Sequence, residues 1–478
     1  MSDSHHETAP ADRIRLDHKL AYGLGSLTNN ILAAASGNMM IVLNLAYGMN
    51  PALVSLLGSI PRLTDALTDP LMGYISDNTR TRWGRRRPYL FVGSRVASLI
   101  FIVLWHLPSG MSHGALFVYF LAISLFFFLA YTVFATPWVA LGYELTADYH
   151  ERVRLMGVQN FIGQLAFLIA PWFLAFMTLP VFDDMADGAS WLSIVVAAAC
   201  ILTGVVPALV LRERFADFTS ASSDRMSLLN RAWYEIWHFA QGFKTTVVNK
   251  DFLLLAGATF LVFNGFQMIA SFQTYVMIFY LYGGDSEAAG PLIGWFGSLS
   301  SIATFAVIIL VTLLTPKIGK RSTFFVCIAI STVGYASKWF LYSVEYPYLI
   351  LVAAPLIAFG VGSLFTLMGS MIADVCDVDE LNTGERREGM YGSVFWWVVK
   401  LGMALAIALG GFLLNATGFD VELGGAQSEH AVYLMRVFDV LVPTVSSICA
   451  IGLIYAYGIT ESKAYEVRAQ LESRRGQL

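Results

Sequence analysis

Long apolar stretches alternate with short polar connections along all 478 residues of the chain. Twelve stretches are legible, at 19–47, 51–76, 89–109, 114–143, 157–180, 190–212, 251–282, 288–315, 323–344, 347–373, 390–416 and 432–460. About 20 helical residues rising 1.5 Å each cross a hydrocarbon core of ~30 Å, so each stretch predicts a membrane-spanning helix. The longest charged connection, 213–250, divides the twelve into two sets of six. The pattern therefore predicts an all-α membrane protein of twelve transmembrane helices in two six-helix halves: a tail at 1–18, a bundle at 19–212, a linker at 213–250, a bundle at 251–460 and a tail at 461–478. Trp233, Glu235, Trp237 and His238 give the linker a mixed amphipathic character, suiting either an interfacial helix or a solvated connection.

Composition agrees with the pattern: 56% of residues are hydrophobic, 13% are charged, and the mean hydropathy is +0.62. A soluble protein would carry about twice that charge. The net charge of −4 adds little, because what matters here is how the sign is distributed across the membrane. Lys and Arg crowd alternate connections, at 80–87, 152–154, 212–250, 317–321, 386–387 and from 463 onward, and are missing from those at 109–113, 183–190, 283–289, 345–347 and 417–430. By the positive-inside rule both termini are expected in the cytoplasm, with the protein integral to the inner membrane. Residues 1–18 are polar and the first apolar stretch is too long for a signal peptide, so no cleaved leader is expected. Cys200, Cys327, Cys376 and Cys449 fall in spans or at a cytoplasmic edge, which predicts no disulfide.

Five basic residues lie within or beside spans: Arg62, Arg95, Lys338, Lys400 and Arg436. Within the second span, Arg62-Leu-Thr-Asp65-Ala-Leu-Thr-Asp69-Pro70 places two carboxylates one helical turn apart. A charge at mid-bilayer costs roughly 2.5–3.5 kcal/mol on insertion scales, so such a pair is expected where a cation or proton offsets it. On one helix face the oxygens can converge on a small hard ion or share one proton. The plainer alternative is a fixed bridge from Asp65 to Arg62 or Lys400, with Asp69 capping a break at Pro70. Arg62 either faces a ligand or holds Asp65. Thr132, Trp138, Gln164, Asn264, Gln267, Gln273, Trp396 and Trp397 supply hydroxyls, amides and flat indole faces suited to a polyhydroxyl ligand, or else to interhelical hydrogen bonding and anchoring.

Four segments together carry a family resemblance: Asp65 through Pro88, Pro137 through Arg152, Ala373 through Gly389, and Lys400-Leu-Gly402. They resemble, in the same order, the glycoside-pentoside-hexuronide:cation symporters, which include the melibiose permeases of the major facilitator superfamily. The resemblance implies the major facilitator fold, cation-binding roles for Asp65 and Asp69, and a charge-balancing lysine at Lys400. Where the melibiose permeases recognise sugar with charged residues, this chain has Asn29, Asn30, Ala135 and Asn160, which puts galactoside recognition in doubt while leaving hydrogen-bonding amides for another sugar.

The loop from Arg80 to Arg87 resembles the superfamily's cytoplasmic gating motif, which begins at Gly73 and Asp77 and runs through Arg82, Gly84, Arg85, Arg86 and Arg87. Its expected acidic partners are Glu144, Asp148 and Glu151. A second basic turn, Ile318-Gly319-Lys320-Arg321, occupies the corresponding place in the other half. There Asp374, Asp377 and Glu380 are expected to form a gate loop with Arg386 and Arg387.

Enzyme signatures are missing: the chain has no H-E-x-x-H, G-x-S-x-G or Walker A motif. The expected activity is import of a sugar or glycoside by symport with Na⁺ or H⁺ through alternating access. Such a carrier would be a monomer in the lipid bilayer, with no cofactor beyond the coupling ion and no nucleic-acid partner. The same aspartate-rich signature also resembles a eukaryotic lysophospholipid symporter, so a lipid or amphiphile cargo is an alternative, as is a ligand sensor that does not transport.

Overall fold

The computed structural model describes residues 13–108, 110–146, 149–213, 246, 248–384 and 387–475. The side chains of Asp65 and Asp77, all of Asp148 and Arg386, and the linker's expected interfacial helix lie outside that description.

The first unit comprises Met1–Tyr47 and Ile60–Ala232, and the second Gly48–Ser59 and Trp233–Leu478. Helices α1 (Leu16–Asn38), α2 (Ile41–Leu45), α3 (Pro51–Asn78), α4 (Arg87–Trp105), α5 (His113–Glu144), α6 (Tyr149–Ile169), α7 (Phe173–Met177) and α8 (Met185–Val210) come first in chain order. There follow α9 (Lys250–Tyr275), which runs on into a π-helical turn at Val276–Leu281, then α10 (Ser286–Ile318), α11 (Lys320–Leu341), α12 (Ala353–Thr383), α13 (Glu388–Ala416), α14 (Glu429–Ala456) and α15 (Glu461–Arg475). Among the described residues, ten helical runs are long and apolar enough to cross a membrane. The first two expected spans are occupied by α1 with α2 and by α3. Polar residues lower the hydropathy of both, and α3 carries Arg62, Asp65, Asp69 and Asp77.

Many helices start where a short polar side chain can accept an otherwise unpaired amide. Ser112 caps α5, Asp184 α8, Asn249 α9, Asp285 α10 and Ser428 α14. In the first unit α1 packs on α6 and α8, and α4 on α5 and α8. In the second, α9 packs on α13 and α14, while α12 packs on α10 and α11. Each unit encloses its own apolar core, the first around Tyr22, Leu90, Phe134, Trp138 and Leu141, the second around Phe252, Phe324, Leu367, Met371 and Val394. Exposed Phe161, Leu202, Leu313 and Phe340 leave the outer faces apolar, as lipid contact requires.

Two sequence expectations need correcting. Helix α12 runs ten residues past the predicted end at 373, to the left-handed cap Gly384 (φ 76°), so Asp374, Asp377 and Glu380 stand on a helix end rather than in a loop. Among the described residues, the Glu151 carboxylate, 2% exposed, pairs with Lys19 at 2.6 Å and Arg154 at 3.1 Å rather than with the Arg80–Arg87 loop. It also accepts the Ile14 amide at 3.0 Å, strapping the N-terminal segment to the start of α6. In the C-terminal tail, α15 buries Val467 and Leu471.

Burial pushes the Glu151 carboxyl upward, but hydrogen bonds from Lys19, Ile14 and Arg154 outweigh it and hold the group below its ordinary value. The strap is therefore fully formed above the ordinary carboxylate pKa of about 4.3 and weakens as pH falls through the lower folded-state value. Hydrogen exchange at residues 14–19 should accelerate as pH falls through that window once intrinsic rates are divided out, and Glu151→Gln should remove the dependence. Elsewhere, a methyl at Gly93 would lie 2.7 Å from Phe134 N and 3.0 Å from its Cα, where α4 and α5 approach backbone to backbone. Gly93→Ala should cost about 1–3 kcal/mol of stability, read as a lower Tm of the detergent-purified protein.

Candidate functional site

The first unit gathers polar groups around the second half of α3. Asp69 Oδ1 accepts the Thr132 hydroxyl at 3.2 Å and the Thr136 hydroxyl at 3.3 Å. Both threonines project from α5, four residues and so one turn apart, which lets them reach the same oxygen. Thr132 is 1% exposed, placing this contact well inside the bundle. Each hydroxyl donates to the carboxylate while keeping lone pairs on its own oxygen, so a cation arriving here would meet an all-oxygen set. Arg62 lies with its guanidinium 5.1 Å from the Phe128 ring centroid.

Beside it runs a hydrogen-bonded chain. The Tyr131 hydroxyl donates to Asn29 Oδ1 at 2.8 Å, Asn29 Nδ2 to Asn30 Oδ1 at 3.2 Å, and Asn30 Nδ2 to Gly163 O at 3.0 Å. Of the two amides, Asn30 is committed to the α1–α6 contact, while Asn29 faces α5. Sequence reasoning missed Tyr131; its only signal was adjacency to Thr132.

Trp138 does not have the surroundings of a ligand platform. It is 2% exposed, stacks on Tyr22 at 5.1 Å between centroids and donates its indole N–H to Tyr22 O. Asn160 is exposed and Gln164 half-buried on α6. In the second unit, Asn264 donates to Phe260 O within its own helix at 2.7 Å. Gln267 and Trp397 are half-buried, while Trp396 and Lys400 are exposed on α13. Gln273 accepts a hydrogen bond from Lys338.

The basic loop forms a compact clasp within the first unit. Glu213, just past α8, accepts the backbone amides of Arg85, Arg86 and Arg87 at 2.8, 2.8 and 3.1 Å, capping α4 with a carboxylate where the helix dipole favours one. Arg85 and Arg86 both reach Glu144 Oε1 at the end of α5, at 2.8 and 2.9 Å. Arg87 donates to Ala208 O and Leu209 O at the end of α8. Gly84 (φ 106°) turns the chain where any Cβ would strike the Glu213 carboxylate. Gly73 lies near Thr136, and Arg82 is exposed.

The second unit repeats this plan internally. Gly319 (φ 80°) faces Glu461, Lys320 pairs with Asp374 at 2.7 Å, and Arg321 donates to Ile454 O and Tyr455 O at the end of α14. Arg387 holds Asp379 bidentately at 2.9 and 2.8 Å, a partner the sequence reading passed over in favour of Asp374, Asp377 and Glu380. Asp377 is half-buried on the same helix end.

Comparison with known proteins bears on the family and the fold. The model of the family described as MFS/sugar transport protein matches residues 21–461. An uncharacterized symporter of Synechocystis sp. is 26% identical, covering 98% of this chain and 98% of its own. A glucuronide carrier protein homolog of Escherichia coli K12 is 25% identical, covering 95% of each. Among solved structures, a bacterial homolog of the human lysosomal transporter Spinster, inward-facing and unoccupied, superposes with a TM-score of 0.66 at 16% identity, over 92% of this chain and 95% of that one. At that identity the likeness concerns the fold, whereas the family match covers nearly the whole sequence. The chain is thus an integral membrane transporter rather than an enzyme, and it belongs to the MFS/sugar transport protein family of the major facilitator superfamily.

Proposed function

We propose that this protein imports a sugar or glycoside together with Na⁺ or H⁺ by alternating access, with Asp65 and Asp69 as the cation-binding carboxylates. The observation that carries the reading is Asp69 Oδ1 held by the hydroxyls of Thr132 and Thr136 inside a membrane-spanning bundle. A hard ion prefers oxygen donors, and a carboxylate flanked by two hydroxyls supplies them. The i, i+4 spacing of Asp65 and Asp69 on α3 supports the same assignment, and the names of the family and of the glucuronide carrier relative support a sugar or glycoside as cargo. Asn29 and Tyr131 are the first choices for contact with sugar hydroxyls, because each both donates and accepts.

Cation binding here raises affinity for the sugar, and sugar binding raises affinity for the cation by the same factor. The clasps of Arg85 and Arg86 on Glu144, and of Lys320 on Asp374, are the elements that release and re-form during the cycle, a two-state switch biased by ligand. Lys400 supplies positive charge when the ion leaves. The carrier works as a monomer in the inner membrane, with both termini in the cytoplasm, in keeping with the alternation of basic and non-basic connections.

The test is binding of a panel of mono- and disaccharides to purified protein, with and without Na⁺ at two pH values. One sugar should gain at least about tenfold in affinity, or 1.4 kcal/mol, from one of the two ions, and Asp69→Asn should lose that gain. Competition by lysolipids with no response to any sugar would overturn the carbohydrate assignment in favour of an amphiphile. Glu144→Gln should slow uptake severalfold while leaving equilibrium sugar affinity within about twofold; a matching loss of affinity would contradict a gating role.

A further inference from the structure

The second unit contains a buried charged cluster that neither the cation site nor the clasps use. Lys338 on α11 and Asp439 on α14 are both 0% exposed and meet at 2.6 Å between Nζ and Oδ2. Lys338 also donates to Gln273 Oε1 on α9 at 3.1 Å, and the Tyr342 hydroxyl donates to Asp439 Oδ2 at 2.7 Å. One turn before Asp439, the Arg436 guanidinium lies 4.0 Å from the Tyr280 ring centroid and 4.7 Å from that of Trp339, and donates to Trp339 O at 3.2 Å.

Two atoms of this cluster stand out. Among the described residues, Asp439 Oδ1 and Arg436 Nε are buried and have no hydrogen-bond partner. One is an acceptor and the other a donor, and a buried polar atom left unsatisfied is destabilising. Residues at i and i+3 of a helix are surface neighbours, with Cβ atoms about 5–6 Å apart. A water molecule donates with one hydrogen and accepts with a lone pair, so a single one within hydrogen-bonding reach of both atoms would satisfy both. A buried ion pair is tolerated when its remaining lone pairs and protons are met in this way.

Position gives the cluster a consequence. The π-helical turn Val276–Leu281 begins three residues after Gln273 and contains Tyr280. Lys338 therefore grips α9 before the turn and Arg436 grips it within the turn, and turns of this kind occur mostly where a helix departs from regularity for a functional reason. We propose that one buried water joins Arg436 Nε to Asp439 Oδ1, and that the network it completes clamps the π turn of α9 to α11 and α14.

The test uses the full-length protein in detergent and is independent of the sugar. A high-resolution structure should show a solvent peak about 3 Å from both Asp439 Oδ1 and Arg436 Nε. Arg436→Lys keeps a cation but removes the Nε donor, and should speed backbone hydrogen exchange across 276–284 at least tenfold relative to wild type. No peak at that position, or exchange unchanged by the substitution, overturns the proposal. The density of the unaltered protein decides the water even if the variant fails to fold.

Discussion

Each ionised side chain that this sequence places at lipid depth carries an insertion cost of roughly 2.5–3.5 kcal/mol, and the structure is arranged around meeting it. It does so in chemically different ways. Lys338 and Asp439 neutralise one another directly and recruit Tyr342 and Gln273 for the remaining bonds. Arg62, Arg95 and Arg436 lie over aromatic rings, where the quadrupole offsets part of a guanidinium's desolvation. Asp69 Oδ1 is met by two neutral hydroxyls. The two hydroxyls add oxygen donors beside that carboxylate, which is what makes it the proposed ion site.

At the basic-loop ends the problem is the polarity of helix termini. Each unit solves it with a glycine at positive φ, a basic residue bridging to an acid at the end of a neighbouring helix, an arginine on terminal carbonyls, and a glutamate against the glycine. These contacts are compact and keep some solvent access, with side chains 7–34% exposed at the bridging pairs against 0% at Lys338–Asp439, so each pair is worth less than a sealed one. Modest worth suits the proposed role of a clasp that opens and closes, since a deeply buried pair such as Lys338–Asp439 would be too costly to break.

Membrane-spanning helices were legible because hydropathy over about 20 residues is a long, redundant signal. Helix ends were less so: the acids after 373 read as a loop, yet α12 continues to Gly384, since a helix leaving the lipid loses its need for apolar residues but not its backbone hydrogen bonds. Asp69 stood out in sequence because a carboxylate is rare at that depth. Thr132 stood out as a ligand contact rather than as a partner of Asp69, and Thr136 did not stand out, because hydroxyls are common in membrane helices and sixty-odd residues separate both from Asp69. Glu213, Asp379 and Asp439 escaped for a similar reason, since long-range pairing decides which acid meets which base. Trp138 misled in the other direction: an indole suits a sugar, but here it fills the core against Tyr22.

The central claim is that Asp69 binds the ion that drives sugar accumulation. Its most direct test is uptake into proteoliposomes under an imposed Na⁺ or proton gradient, with sugar and ion flux followed together. The account predicts that one gradient drives sugar above equilibrium with a fixed ion-to-sugar ratio, and that Asp69→Asn abolishes both accumulation and ion flux while sugar exchange persists. Undiminished uphill uptake by Asp69→Asn would contradict it.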